Sequence, residues 1–505
     1  MPFPTLFQLA AKSVAQGIHN ETILLDFPLS MEPSNAIVRE LLELDGNNFK
    51  KLKVFKNQLS VSKLDLRRCK IDADAVRNLS NFNLVSLDFG RLTGLRDNFP
   101  GDPRDDGTLD IVSLLIQSTN FNSRRSIIHL GLSEDQEFIA GWEAEVSEFL
   151  PNLQSIDSSY KIFEERQFSN ICSFFPNLLV LDISCALDIS SLQGIRNLKN
   201  LQKLIMYYVY FDDITGYEEL SELKNLKYLD VSGNDDSEDT NPIEDMLAAG
   251  VRMEALEFLD CSWTPVTEYE LETFVKNHPS LKTVAAIHTA CGHTTISGVK
   301  MLNMSSMSSL SESLEYALLT ERSMLALRFI EDVFENLKTS RGNLVNSELR
   351  HITNAVLFML RESFDKHTKV YTLKYYLESG LFEHELSISM FSTDIPDMIE
   401  LFYNVLKKYA LQCKWISYEG VTAELLFRMF EAAVNSVRPG ISIPDRVLNF
   451  VFEKTVELVC QFPEHQTQGS GIIRQAVKWM SWKQILTMSG NVELLSKFVV
   501  LLKSN

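Results

Sequence analysis

At 505 residues, with 45% hydrophobic and 23% charged side chains, the chain carries enough apolar material for a large core and for two or more structural units. A formal net charge of −19 argues against a general nucleic-acid binder, because phosphate recognition needs a basic surface and no basic stripe runs along the sequence. The longest apolar runs, such as FVVLL at 498–502, fall far short of the roughly 20 residues of a membrane span, and the N-terminus lacks the cationic start of a signal peptide, so the expected compartment is cytosol or nucleus, with no membrane partner.

In chain order, residues 1–60 read as helices. TLFQLAAKSVAQGI (5–18) spaces Leu6, Leu9, Ala10 and Val14, with the aliphatic stem of Lys12, at helical intervals behind Thr5 as a cap. After a turn through FPLSMEPS (27–34), NAIVRELLEL (35–44) repeats the pattern with Ile37, Val38, Leu41, Leu42 and Leu44. Such a pair is expected to cap a repeat stack by shielding its first core layer.

Residues 61–300 carry the repeat. LLVLDIS (178–184), LKYLDVS (226–232) and LEFLDCS (256–262) share a Leu-x-x-Leu-Asp-x-Ser phrase, and weaker copies stand at 61–69, 84–92, 127–132, 153–161, 201–209 and 281–289. This is the strand of a leucine-rich repeat, and about nine repeats are predicted. Between strands the chain reads helical, as at 267–280, where Thr267 and Glu270 form a capping box ahead of Leu271, Phe274 and Val275. The acidic stretches at 101–110 and 235–245 read as solvated loops. The aspartates of the phrase, Asp65, Asp88, Asp157, Asp182, Asp230 and Asp260, fall between inward residues, so alternation sends them in a ladder onto the concave face. Two readings stand for that ladder: local bonding to the following serine, as Asp182 to Ser184, or capture of a basic or amino-terminal ligand. Cys69, Cys172, Cys185, Cys261 and Cys291 lie in or beside strands and read as small hydrophobes, with neither a disulfide framework nor a zinc site.

Past a Met- and Ser-rich linker at 301–313, residues 314–505 read as amphipathic helices at 312–338, 344–363, 367–379, 395–410, 421–436, 444–461, 471–487 and 491–503, broken at RGN (341–343), SG (379–380), RPG (438–440) and GSG (469–471). The fold class is therefore an α/β leucine-rich-repeat solenoid followed by an all-α armadillo or HEAT-like solenoid. AELLFRMFEAAV (423–434) reads as core between helices. No phosphate loop or dinucleotide turn exists, the histidines are irregularly spaced for a metal, and CGH (291–293) lacks an orienting carboxylate. A non-catalytic, cofactor-free interaction protein is expected.

The order of parts resembles the zyg-eleven and Zer-one family, leucine-rich-repeat and armadillo substrate receptors of cullin-2 RING ubiquitin ligases. The pieces that carry the likeness are LLVLDISCALDISSLQGIRNLKNLQKLIMYYV (178–209), LKYLDVSGND (226–235) and LEFLDCSWTPVTEYELETFVKNHPSLKTVAAIHTACG (256–292), with SLSESLEYALLTERSMLALRFIEDVFENL (309–337) leading into the helices. The resemblance implies that residues 5–44 dock the ligase: Thr5, Leu6, Ala10 and Val14 as an elongin-C-binding box, with Ala10 where the family usually has cysteine, and Pro33, Ile37, Leu41 and Leu42 as a cullin box. It implies elongin C with elongin B, cullin-2 and protein substrates as partners. The family's acidic and aromatic pocket for an N-terminal glycine has no convincing counterpart here, since Trp479 and Trp482 precede Lys483 and read as core. Two other classes stay open: a leucine-rich-repeat scaffold with no ligase connection, and an F-box-type receptor.

Overall fold

Ten strands of three residues each stack in parallel and in chain order into one sheet: β1 (Lys63–Asp65), β2 (Ser86–Asp88), β3 (His129–Gly131), β4 (Ser155–Asp157), β5 (Val180–Asp182), β6 (Lys203–Ile205), β7 (Tyr228–Asp230), β8 (Phe258–Asp260), β9 (Thr283–Ala285) and β10 (Lys300–Leu302). The computed structural model describes residues 6–90, 92–103, 107–132, 136–163, 166–211, 214, 216–233, 240–320, 323–340, 346–362, 366–382, 399–405, 417–435 and 445–480. These form two compact units, one ending at Leu302 and the other beginning at Asn303.

The repeat phrase makes this sheet because its middle strand residue cannot be buried by one repeat alone. Register places Leu64 opposite Leu87, Leu87 opposite Leu130, and so on through Leu259, Val284 and Met301, and every one is buried. Short helices complete the repeats. Asp72, Asp110, Asn120 and Asn241 cap the helices Ala73–Leu79, Ile111–Ser118, Phe121–Ser126 and Pro242–Ala248 by accepting from backbone amides, and Thr267 with Glu270 forms the expected capping box of Glu268–Asn277. Leu271 and Phe274 of that last helix are fully buried.

Two helices precede the sheet, α1 (Leu6–His19) and α2 (Met31–Leu44), packed on each other. The inner face of α2, Ile37, Val38, Leu41 and Leu42, belongs to the same core as the repeats. Asn35 of α2 also treats the open edge of β1. Its Oδ1 accepts from the amides of Ser62 (2.9 Å) and Lys63 (3.2 Å), and its Nδ2 donates to the Ser62 hydroxyl (2.9 Å). An edge strand left with bare amides is a template for unwanted pairing, and this side chain occupies the amides at its start.

Three expectations change. The linker placed at 301–313 contains β10 and the start of the helix Met307–Leu319, so the repeats number ten strands; VKML at 299–302 lacks the leucine phrase and supplies only Met301 and Leu302 to the interior. The acidic stretch at 235–245 ends in a capped helix with Ile243 buried, its residues up to 239 lying outside those described. The helix read at 312–338 is two helices, Met307–Leu319 and Ser323–Ser340.

The second unit holds these two and Asn346–Glu362, Lys366–Glu378, Ser417–Asn435, Asp445–Gln461 and Gln466–Trp479, with a helical piece at 399–405; the expectation at 491–503 lies outside the described residues. Helices pack on their neighbours and on the next but one, as Met307–Leu319 on Asn346–Glu362 and Ser323–Ser340 on Lys366–Glu378. Phe334, Tyr376, Phe382 and Phe402 meet edge-on or tilted around one centre, and Phe427 and Phe430 of the 423–434 stretch are buried as expected of core. The GSG at 469–471 breaks nothing. It lies inside Gln466–Trp479, where Gly469 lets that helix press against Asp445–Gln461: a Cβ there would sit 2.1 Å from Val459 Cγ2.

Candidate functional site

Two surfaces on the first unit carry the residues that the sequence singles out. The first is α1. This helix has two apolar stripes, and the fold uses only one of them: Ala11, Ala15 and Ile18 are buried, while Leu6 is 85% exposed, Leu9 50% exposed, and Phe7 and Ala10 are exposed beside them. Small residues face inward because the α1 and α2 backbones lie close. Gly17 answers a different neighbour, since a Cβ there would meet Ile23 Cδ1, in the connection after α1, at 2.3 Å. Of the four box residues, Leu6 and Ala10 therefore share the solvent face, Val14 sits half-buried at its border, and Thr5 lies outside the described residues.

The cullin-box residues separate. Ile37, Leu41 and Leu42 are buried in the shared core, so the expectation that they contact a partner is corrected: they are spent on attaching α2 to the repeats. Pro33 stands in the first turn of α2, where its missing amide costs nothing, and is half-buried. The exposed apolar side chains nearby are Leu24, Phe27 and Met31, in the connection before α2 and at its start.

The second surface is the outer face of the sheet. Asp65 pairs in register with Asp88, Asp157 with Asp182, and Asp230 with Asp260; Gly131 and Ile205 interrupt the ladder. Exposure is graded along it, from Asp65 in solvent through half-buried Asp88, Asp157 and Asp182 to buried Asp230 and Asp260. Each of Asp65, Asp157, Asp182, Asp230 and Asp260 accepts through Oδ1 from the amide two residues on, at 2.8–3.0 Å. Ser184 and Ser232 add their hydroxyls at 2.5 and 2.6 Å. The local-bonding reading of the ladder is thus present, Asp182 with Ser184 included, and it explains how like charges tolerate adjacent strands.

Charge compensation differs by position. Arg67 forks onto Asp65, with Nε at 3.0 Å and a terminal nitrogen at 2.7 Å; burial alone would raise the Asp65 carboxyl, but Arg67 holds it below its usual value. Asp88 meets His129. Burial and the charge of Asp157 push Asp182 up to about 6.

No family model matches the chain. Gastrulation-defective protein 3 of Caenorhabditis elegans is 29% identical over 331 residues, a stretch that covers 65% of this chain and 45% of that protein, so the chain spans less than half the length of that relative. Among solved structures, an internalin of Listeria monocytogenes shares 14% identity at a TM-score of 0.29, covering 50% of this chain and 76% of its own. A plant peptide hormone receptor, RGFR1 in complex with RGF2, shares 14% at a TM-score of 0.25, covering 50% and 40%. At those scores the repeat assignment rests on the strand ladder itself.

A row of functional-looking residues along this sheet escaped the sequence reading. Tyr160, Cys185, Tyr208, Trp263 and His288, each three residues past the end of a strand, take left-handed backbone with φ of 55–59°. Left-handed residues are ordinarily announced by glycine or asparagine, and each other residue there costs about 1–2 kcal/mol. No sequence signal marks a tyrosine or tryptophan for that conformation. Elsewhere, Trp479, expected in the core, is 39% exposed, and Trp482 lies outside the described residues. Cys291 of the CGH stretch is buried, and burial pushes its thiol up to about 11, the opposite of an activated nucleophile. Among the described residues no three His, Cys, Asp or Glu side chains gather to hold a metal, and no helix is long and apolar enough to cross a membrane.

Proposed function

We propose that the chain is a substrate-recognition subunit of a cullin-2 RING ubiquitin ligase, working in the cytosol or nucleus. It docks elongin C, and through it elongin B, by the outward stripe of α1, and it presents protein substrates held by its repeats. Such a subunit needs no catalytic residue of its own, because its contribution is proximity between substrate and a charged conjugating enzyme. The observation that carries the reading is the second stripe of α1: Leu6, Leu9 and Ala10 form an apolar face that the chain's own fold leaves open, on the helix whose spacing resembles an elongin-C-binding box. Cullin-2 is then met by the exposed Leu24, Phe27 and Met31 rather than by the buried face of α2. The resemblance of residues 178–292 to the zyg-eleven and Zer-one receptors and the match to Gastrulation-defective protein 3 support the same assignment. The helices of the second unit are the armadillo-like part of such a receptor.

Co-purification of the full chain with elongin B/C tests it. The wild type should retain the complex, and Leu6→Ser should lose it, since a central leucine of a helical interface contributes a few kcal/mol, about 2 or more. Leu6 is exposed, so the substitution leaves the core untouched. Ala10→Cys should tighten binding by filling the pocket of the box cysteine. Failure of the wild type to hold elongin B/C removes the ligase reading and leaves a repeat scaffold.

A further inference from the structure

The left-handed row bordering the sheet is explained neither by the repeat core nor by the α1 face. Amide bonds keep it in register from repeat to repeat: Tyr160 N donates to Ser184 O, Cys185 N to Tyr207 O, Tyr208 N to Ser232 O and Trp263 N to Ile287 O, all at 2.7–2.9 Å. Gly233 makes the same bond, to Ser262 O at 2.9 Å, in the repeat of β7. Tyr160 and Tyr208 put their rings on this border, whereas the Trp263 ring is buried and its pair reaches solvent through His288. Tyr160 is 60% exposed, Tyr208 stands edge-on to Tyr210 with centroids 5.0 Å apart, and His288 is exposed beside Trp263 at 5.5 Å.

Two properties of the row specify an occupant. The first is its spacing. Adjacent strands lie about 4.8 Å apart, so Tyr160 and Tyr208, two strands apart, stand about 9.6 Å from each other. A β-strand ligand repeats its same-side residues every ~6.7 Å. A polyproline II helix, with three residues per turn and a 3.1 Å rise, repeats every ~9.3 Å and matches the rings. The second property is charge. Asp157 and Asp182 face each other across β4 and β5, three residues before Tyr160 and Cys185, and among the described residues no basic side chain forms an ion pair with either. Asp65 has Arg67 and Asp88 has His129; this half-buried pair is hydrogen-bonded to serines, and His129 acts on Asp157 only from behind Asp88.

We propose that this row docks a basic, proline-rich segment of a partner protein in the polyproline II conformation, with its prolines on Tyr160 and Tyr208 and an arginine or lysine against Asp157 and Asp182. Proline is the residue that holds this helix without a partner, so the segment loses little entropy on landing on rings. The cation offsets the repulsion between the two carboxylates, which adds to burial in keeping Asp182 above its usual range. The surface is separate from α1, so elongin retention reads the ligase docking independently of it.

Fluorescence polarisation of the full chain with a labelled oligoproline peptide bearing one arginine tests the proposal. Saturable binding in the micromolar range is expected, about −8 kcal/mol when the dissociation constant is 1 μM. Tyr160→Gly and Tyr208→Gly should each weaken it by about tenfold or more. Glycine suits the left-handed backbone, so those variants lose the ring while keeping or gaining stability, which thermal melts followed by circular dichroism verify. The double variant Asp157→Asn with Asp182→Asn should bind the arginine peptide and its glutamate counterpart alike. The proposal is overturned if the wild type shows no saturable binding, if a Gly-Ser peptide with the same arginine binds equally well, or if both glycine variants bind undiminished.

Discussion

His129 Nε2 lies 2.8 Å from Asp88 Oδ1, so the imidazole of β3 ties itself to the carboxylate of β2. Its Nδ1 lies 2.8 Å from Ser155 Oγ of β4, and one ring thereby bridges three strands. The arrangement needs Gly131, because a Cβ at that position would fall 1.9 Å from the same Asp88 oxygen. Burial alone would lower the His129 pKa, but the hydrogen bond and charge of Asp88, with Asp157 behind it, raise it above 6.5. A histidine whose folded value is raised contributes stability that is fully present below its unfolded value, near 6.5, and lost as pH climbs through the folded one. Urea midpoints of the wild type should therefore fall over that window. His129→Gln should remove this part of the slope, and an identical slope in the variant would show that the bridge is not ionised.

Asp182 predicts a second pH effect in a lower window. Its unfolded carboxyl titrates near 3.9, while in the fold burial, with Asp157 and then Asp230 nearby, pushes it up to about 6. The folded state therefore holds the proton more tightly. The associated stability is full below about pH 4 and is lost as pH rises through about 6. Asp182→Asn keeps an oxygen for the Ser184 amide and removes the charge, so it should stabilise the protein at neutral pH by on the order of 1 kcal/mol and flatten the profile between those limits. Destabilisation at pH 7.5, measured by urea unfolding, would contradict this.

Gly469 sets the approach of two helices in the second unit. An alanine there gains helix propensity, about 1 kcal/mol, but its Cβ would lie 2.1 Å from Val459 Cγ2 and 3.2 Å from Phe427 Cε1. The β-branched valine cannot swing away, so the clash should win and Gly469→Ala should destabilise by about 1–3 kcal/mol. Adding Val459→Ala should recover part of that loss. Calorimetry showing a raised melting temperature for Gly469→Ala alone would sink the packing argument.

Ser158 is the weak step of the repeat core. Equivalent positions after the strands hold Leu66, Phe89, Ile183, Met206 and Val231, yet here a fully buried hydroxyl finds no hydrogen-bond partner among the described residues. Removing an unsatisfied buried group relieves its desolvation penalty, so Ser158→Ala should raise stability by about 1 kcal/mol. A lower urea midpoint for the variant would mean the hydroxyl is satisfied after all.

The sheet was legible because its signal is periodic: a buried middle residue recurs in every strand, an aspartate follows it in six, and nine of the ten strands carry enough of the phrase to announce themselves. The tenth did not, since Lys300–Leu302 meets the register of β9 with Met301 alone and lacks the phrase. On α1 the large side chains were the visible stripe, whereas the fold buries the small ones, Ala11 and Ala15; size marks hydrophobic drive, but close helix approach selects alanine. The same reversal misread Gly469 as a break. Ile37, Leu41 and Leu42 show the remaining limit, because periodicity identifies an apolar face without saying whether the chain itself or a partner covers it. The left-handed tyrosines had no precursor in the sequence at all, being imposed by the repeat geometry on whatever residue stands there.

The amide of Asn35 ties α2 to the first strand, and in a stack whose repeats touch only their neighbours, loss of order travels inward from the ends. The α1–α2 hairpin is consequently a latch against unzipping from this side. Anything that grips the outer stripe of α1 tightens the latch, and repeats it never touches open less often for it. A receptor built this way would be hardened against proteolysis by joining its assembly, and the unassembled chain would be the form that the cell clears first.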